Sequence, residues 1–272
     1  MIKDINIVSV SNKSIENLIV VDLMKGSNLA SVIFDTGASI SVLNKTTADN
    51  FEAIETEKKV TGGGTAGNVS EIELSTFEEV KIGDYTIPKS DFIVVEDKVL
   101  HFGQDEKGNE LIIDGFLGWD IISKLRWEYN HEKLELRFGE PSYMSYENSI
   151  LDDWDNMPIL NVILDGQKRV FGFDSGHTES VIGNLLYPKY EHLDSKSDDF
   201  VGIDGQNKET VKIAETFEMD INNSKVSLTN ISVINRNLFP SKREDICGLL
   251  GIDIVENRSW ILDYSNRYFE VV

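Results

Sequence analysis

A chain that repeats one long motif folds as two copies of one unit, and this chain does so across most of its 272 residues. Phe34-Asp35-Thr36-Gly37-Ala38-Ser39 and Phe173-Asp174-Ser175-Gly176-His177-Thr178 stand 139 residues apart. Each follows a short apolar run, Val32-Ile33-Phe34 or Val170-Phe171-Gly172-Phe173. The copying continues downstream. Gly115-Phe116-Leu117-Gly118-Trp119-Asp120-Ile121-Ile122 matches Gly248-Leu249-Leu250-Gly251-Ile252-Asp253-Ile254-Val255, starting 80 residues after Asp35 and 74 after Asp174. Glu128-Tyr129 is then echoed by Asp263-Tyr264, and Ser41-Val42-Leu43 by Ser180-Val181-Ile182. Two copies of this length are too few and too long for a solenoid, so each is expected to build one lobe.

The residues between these motifs read as strands. Apolar segments at 5–10, 19–23 and 31–34 are short, β-branched and separated by turn residues, and 159–164 and 169–173 repeat the arrangement. Short helices are expected at 121–125 and 254–257, with Asp120 and Asp253 as N-caps or loop tethers. Trp119, Trp127 and Trp260 are assigned to the core. The expected organisation is a first lobe over 1–140, an acidic connection over 141–157 and a second lobe over 158–272.

An Asp at the mouth of a buried strand is costly unless it is hydrogen-bonded or working. The Gly two residues later permits a tight turn straight after the carboxylate. Two such sites in a duplicated chain place two carboxylates across a pseudo-two-fold axis. With these residues in hand, the chain resembles the aspartic peptidases of the pepsin and retropepsin type, with both active loops on one polypeptide. The resemblance covers nearly the whole chain. Ala38, the compact lobes and the lack of a disulfide framework lean toward retropepsin-like lobes.

That resemblance implies an all-β, bilobal acid-protease fold, with two β-barrel-like lobes related by a pseudo-two-fold axis and short helices. It implies an endopeptidase in which Asp35 and Asp174 activate a water, since two adjacent carboxylates cannot both ionise and so divide the roles of base and acid. Thr36 and Ser175 are expected to lock the loops to each other, and Gly37 and Gly176 to let backbone amides approach the carboxylates. Leu117-Gly118 and Leu250-Gly251 are the implied bracing segments. Gly62, Gly63 and Gly64, with Gly202 and Gly205 at the matching place, are expected to form hairpins that close over an extended polypeptide substrate. No cofactor and no metal are called for.

Composition narrows the field. A net charge of −21 repels phosphates and anionic lipid, so neither nucleic acid nor membrane is an expected partner. The single Cys247 sits in an apolar stretch and reads as core. The amino terminus has no signal-peptide pattern and no apolar run approaches a membrane span, so the expectation is a cytoplasmic monomer.

Two departures from the family pattern stand out. His177 occupies the place of Ala38, where it would pack outward, modulate the dyad or weaken it. No Tyr occurs between Thr61 and Glu71, where pepsin-like hairpins carry one. Two alternatives follow: an inactive peptide-binding relative disabled by His177, and, more remotely, an actin-like nucleotide phosphotransferase, which also uses Asp-x-Gly-Ser/Thr loops. The second conflicts with the absence of an alternating strand–helix pattern.

Overall fold

The computed structural model describes residues 2–10, 17–63, 69–104, 108, 110–146, 150–154, 156–202, 205–238 and 243–272. Its two large sheets repeat one strand order. The first runs Ile54–Gly63, Val69–Phe77, Ser90–Val95, Val42–Asn44, Gly115–Leu117, Asn28–Phe34, Val20–Lys25, then a small hairpin of Lys81–Ile82 and Tyr85–Thr86. The second, read the same way, runs Ser195–Gly202, Gly205–Ile221, Ser224–Val233, Val181–Ile182, Ile246–Leu250, Gln167–Phe173, Met157–Leu164 and Leu151–Trp154. The duplication is thus visible strand for strand over the first seven positions, while the last edge is built differently: by the hairpin 81–86, which follows Val69–Phe77, in the first sheet and by Leu151–Trp154, which precedes Met157–Leu164, in the second.

Local chemistry sets these strands. Lys25 pairs with Asn28 around Gly26, whose φ of 59° needs no Cβ to be accommodated. Leu164 pairs with Gln167 around Asp165 and Gly166, both at positive φ, the two-residue turn whose twist suits a hairpin. The expected strands at 19–23, 31–34, 159–164 and 169–173 lie within Val20–Lys25, Asn28–Phe34, Met157–Leu164 and Gln167–Phe173, apart from single residues at their ends.

A third sheet joins the two halves. Its order is Ile2–Ser9, Glu135–Pro141, Arg126–Asn130, Trp260–Asp263, Tyr268–Val271. The central antiparallel pair takes one strand from each copy, with Trp127 opposite Leu262. Here the core is aromatic. Trp127 stacks on Phe138 at 4.5 Å and meets the edge of Phe34 at 5.0 Å, while Phe34 lies 5.7 Å from Trp260. The indole N–H of Trp127 is satisfied by the Ile122 carbonyl at 2.9 Å. Each such ring contributes about 2–3 kcal/mol by leaving water. Phe34 is the residue immediately before Asp35, so this layer anchors the Asp35-Thr36-Gly37 loop from below.

Some expectations need correction. Neither Asp120 nor Asp253 is an N-cap: the helical turns are Trp119–Ile122 and Ile252–Val255, capped at Gly118 and Gly251. Their carboxylates tether neighbouring loops instead. The segment expected as connection, 141–157, contains the strand Leu151–Trp154, paired in register with Met157–Leu160 of the second sheet. In this strand Leu151 is buried and Asp152 exposed. Trp119, Trp127 and Trp260 are buried as expected. Cys247 is buried as well. Among the described residues no helix is long and apolar enough to cross a membrane.

Candidate active site

Both Asp-Thr/Ser-Gly loops leave the sheet in the same way. Asn28–Phe34 runs parallel to Gly115–Leu117, with Phe34 beside Leu117, and the Asp35 N–H then donates to the Leu117 carbonyl at 2.9 Å. In the second half Phe173 lies beside Leu250, and the Asp174 N–H donates to the Leu250 carbonyl at 2.9 Å. Leu117 and Leu250 therefore fix the exit point of each aspartate. Parallel neighbours are required for this, since both strands must end at the same rim.

The two loops lock to each other through a reciprocal hydroxyl exchange. Thr36 Oγ1 donates to the Phe173 carbonyl at 2.9 Å and accepts from the Ser175 N–H at 2.9 Å. Ser175 Oγ donates to the Phe34 carbonyl at 2.7 Å and accepts from the Thr36 N–H at 3.0 Å. Thr36 and Ser175 are fully buried, so each unmade bond there would carry its full desolvation cost.

Only glycine fits at the next position. A Cβ on Gly37 would lie 2.3 Å from the Asp174 carboxyl carbon, and one on Gly176 would lie 2.4 Å from that of Asp35. Each glycine thus faces the opposite lobe's aspartate, which brings the two carboxyl groups together. Each carboxyl group is near enough to act electrostatically on the other. Asp35 Oδ1 accepts from the N–H groups of Gly37 at 2.8 Å and Ala38 at 3.0 Å, and Asp174 Oδ1 accepts from Gly176 at 2.9 Å. Loss of hydration holds the Asp35 carboxyl well above the usual carboxylate range, and the charge of Asp174 pushes it in the same direction. A carboxyl pair of this kind keeps one proton between its members.

Behind each loop sits a second layer, in which Asp120 and Asp253 are the loop tethers that the sequence allowed beside helix caps, with Ser41 and Ser180 as partners it did not identify. Ser41 donates its N–H and Oγ–H to Asp120, and its Oγ accepts the Gly118 N–H at 2.9 Å. Ser180 does the same with Asp253 and Gly251, the last bond being 3.0 Å. Gly118 and Gly251 are needed because a Cβ would strike backbone, at 2.7 Å from the Ser41 nitrogen and 2.6 Å from the His177 carbonyl oxygen. The usable signal was the equal spacing: each serine stands six residues after its aspartate, and each acid two residues after its bracing glycine.

His177 is held within its own loop. Its Nδ1 lies 2.6 Å from the Glu179 carbonyl, and its own carbonyl accepts the Ile252 N–H at 2.8 Å. Gly62 and Gly63 pair with Ser70 and Val69, in a hairpin at one edge of the first sheet. Gly202 pairs with Gly205 in the corresponding hairpin of the second. Gly64, and with it the tip of the first hairpin, lies outside the described residues. No group of metal-ligating side chains occurs among the described residues.

Comparison with known proteins agrees with this geometry. Residues 21–121 match a family of aspartyl proteases. No curated protein matches the sequence. Among solved structures, the chain is similar to the crystal structure of an aspartic proteinase from Irpex lacteus, with a TM-score of 0.58 and 16% identity. That match covers 98% of this chain and 97% of the other, so the fold is shared from end to end.

Proposed function

From its first-lobe match and the fold of the whole, we propose that this two-lobed chain is an aspartic peptidase and that it hydrolyses peptide bonds with a water activated by Asp35 and Asp174. The observation that carries the reading is the meeting of the two carboxyl groups, each facing the other lobe's glycine at a distance that excludes a side chain.

The chemistry follows from one proton shared by two carboxyls. The ionised member takes a proton from water as its oxygen attacks the peptide carbonyl carbon, while the protonated member gives its proton to the carbonyl oxygen. When the resulting diol collapses, the newly protonated carboxyl supplies the amine with a proton and the other recovers one from a diol hydroxyl. The C–N bond breaks, and the dyad regains its starting charge. Burial and the charge of Asp174 raise the proton affinity of Asp35, which favours retention of the one proton that the two carboxyls pass between them. Thr36 and Ser175 keep the carboxyls in reach of one water. The substrate is a polypeptide laid in extended form between the hairpins that carry Gly62, Gly63, Gly202 and Gly205. Both aspartates come from one chain, so the active species is a monomer. The hold of Glu179 on the His177 ring favours an active dyad over a disabled one.

Asp35→Asn and Asp174→Asn should each reduce turnover of a peptide substrate by about a thousandfold or more while the fold is kept. Substantial turnover in either purified variant would sink the assignment.

A further inference from the structure

The serine–carboxylate braces behind the two loops differ by one atom. Ser41 sends both its N–H and its Oγ–H to the same oxygen, Oδ1 of Asp120, at 2.9 and 2.8 Å. Ser180 divides them, its N–H going to Oδ2 of Asp253 at 2.7 Å and its Oγ–H to Oδ1 at 2.6 Å. One carbonyl-type oxygen has two lone pairs, so a neutral carboxyl with its hydroxyl turned away satisfies the first arrangement. The second uses both oxygens as acceptors, a condition met in full by the carboxylate; a proton on either oxygen reverses or weakens one of the two bonds and leaves a Ser180 hydrogen without its present acceptor.

We propose that the two halves of the dyad are positioned inequivalently: Asp253 must be ionised to accept both Ser180 hydrogens, and so to brace the Asp174 loop in full, whereas Asp120 accepts both Ser41 hydrogens, and braces the Asp35 loop, in either protonation state. The inference deepens the peptidase reading and rests on it for its catalytic consequence. Asp253 and Asp120 are positioning residues, since each acts through a serine and a glycine.

The path from brace to dyad is short. Ser180 Oγ accepts the Gly251 N–H, Gly251 follows Leu250, and the Leu250 carbonyl accepts the Asp174 N–H. Gly251 also packs against the His177 carbonyl. Burial raises the proton affinity of both braces above that of an ordinary carboxylate. Each brace also has a basic neighbour that favours its charged form, the His177 ring for Asp253 and Lys124 for Asp120, so what separates them is the pattern of acceptor oxygens. Glu179, Glu256, Arg258 and His131 line the groove that Asp253 borders. Lobe one, whose brace tolerates a proton, has Ala38 where lobe two has His177. The departure from the family pattern falls on the one brace that needs a charge.

The primary test is amide hydrogen exchange in the wild-type protein, corrected for intrinsic rates, from neutral pH to about pH 4. Protection at the Ser180 amide should fall about tenfold on acidification, while that at Ser41 stays within about threefold. In His177→Ala the Ser180 transition should move to higher pH, because the cation that favours the carboxylate is gone. Parallel loss at both serines, or none at either, overturns the proposal without any need for a folded variant. Kinetics supply the second arm. Asp253→Asn should lose about tenfold in kcat with KM within about twofold, and Asp120→Asn should stay within about threefold of wild type. Equal losses in the two variants would show equivalent braces. A protein with the expected exchange difference that cleaves no peptide would refute the peptidase reading and leave the inequivalence standing.

Discussion

At the scale of single residues, the site is held by hydroxyls that serve as donor and acceptor at once. Thr36 is the clearest case, because its Oγ1 bonds a carbonyl and an amide of the other lobe with no water to replace either. Thr36→Val keeps the shape and removes both bonds, leaving the Phe173 carbonyl and the Ser175 N–H unpaired in a dry interface. The expected cost is about 2–4 kcal/mol in urea unfolding, whereas Thr36→Ser should cost under about 1 kcal/mol. An unfolding midpoint for Thr36→Val equal to that of wild type would mean the loops are held by something else. The same exchange explains why Thr and Ser alternate between the copies: a hydroxyl is required, and the extra methyl is not.

At the scale of elements, what was legible in the sequence is what depends on local chemistry. The strand–Asp–hydroxyl–Gly loops, the turns at Gly26 and at Asp165-Gly166, and the apolar-apolar-Gly braces are written in adjacent residues and repeat at near-constant spacing. Elements held by distant partners were not legible. The helix Lys45–Asn50 carries no apolar periodicity; Asn44 caps it through the Thr47 N–H, and Asp97, far along the chain, bonds the Thr46 N–H. Asp120 and Asp253 look like helix caps until Ser41 and Ser180 arrive from 79 and 73 residues away. The same contrast bears on the hairpins. Ile54–Gly63 and Val69–Phe77 form an arm at the sheet edge, where only one side of the outer strand is paired. Gly63→Pro stiffens the arm beside its tip without touching the core, so kcat should fall about tenfold or more while the melting temperature moves by about 2 °C or less. Turnover equal to wild type would remove this hairpin from the catalytic cycle.

At the scale of the molecule, charge and fold act together on stability. Asp35, Asp120 and Asp253 all have carboxyls raised above the ordinary value of 3.8, in each case chiefly by burial. A raised folded value means that the native state binds these protons more tightly than the unfolded chain does. Their contribution is fully present below the ordinary carboxylate range and is lost as pH rises through each raised value. Asp91 and Asp245 act in the opposite sense, lowered by Lys58 and Arg243, but their contribution fades only as pH falls below that range. Between the ordinary carboxylate value and neutrality the three raised groups therefore dominate. The net charge of −21 adds to them, because self-repulsion eases as carboxylates gain protons. The melting temperature should accordingly rise by about 3–6 °C between about pH 7.5 and about pH 5. In Asp35→Asn, which is neutral at every pH, the rise should shrink and the neutral-pH value should exceed that of wild type. A melting temperature that falls steadily over the same interval would mean that the exposed ion pairs govern the pH response and that burial of the dyad and its braces does not.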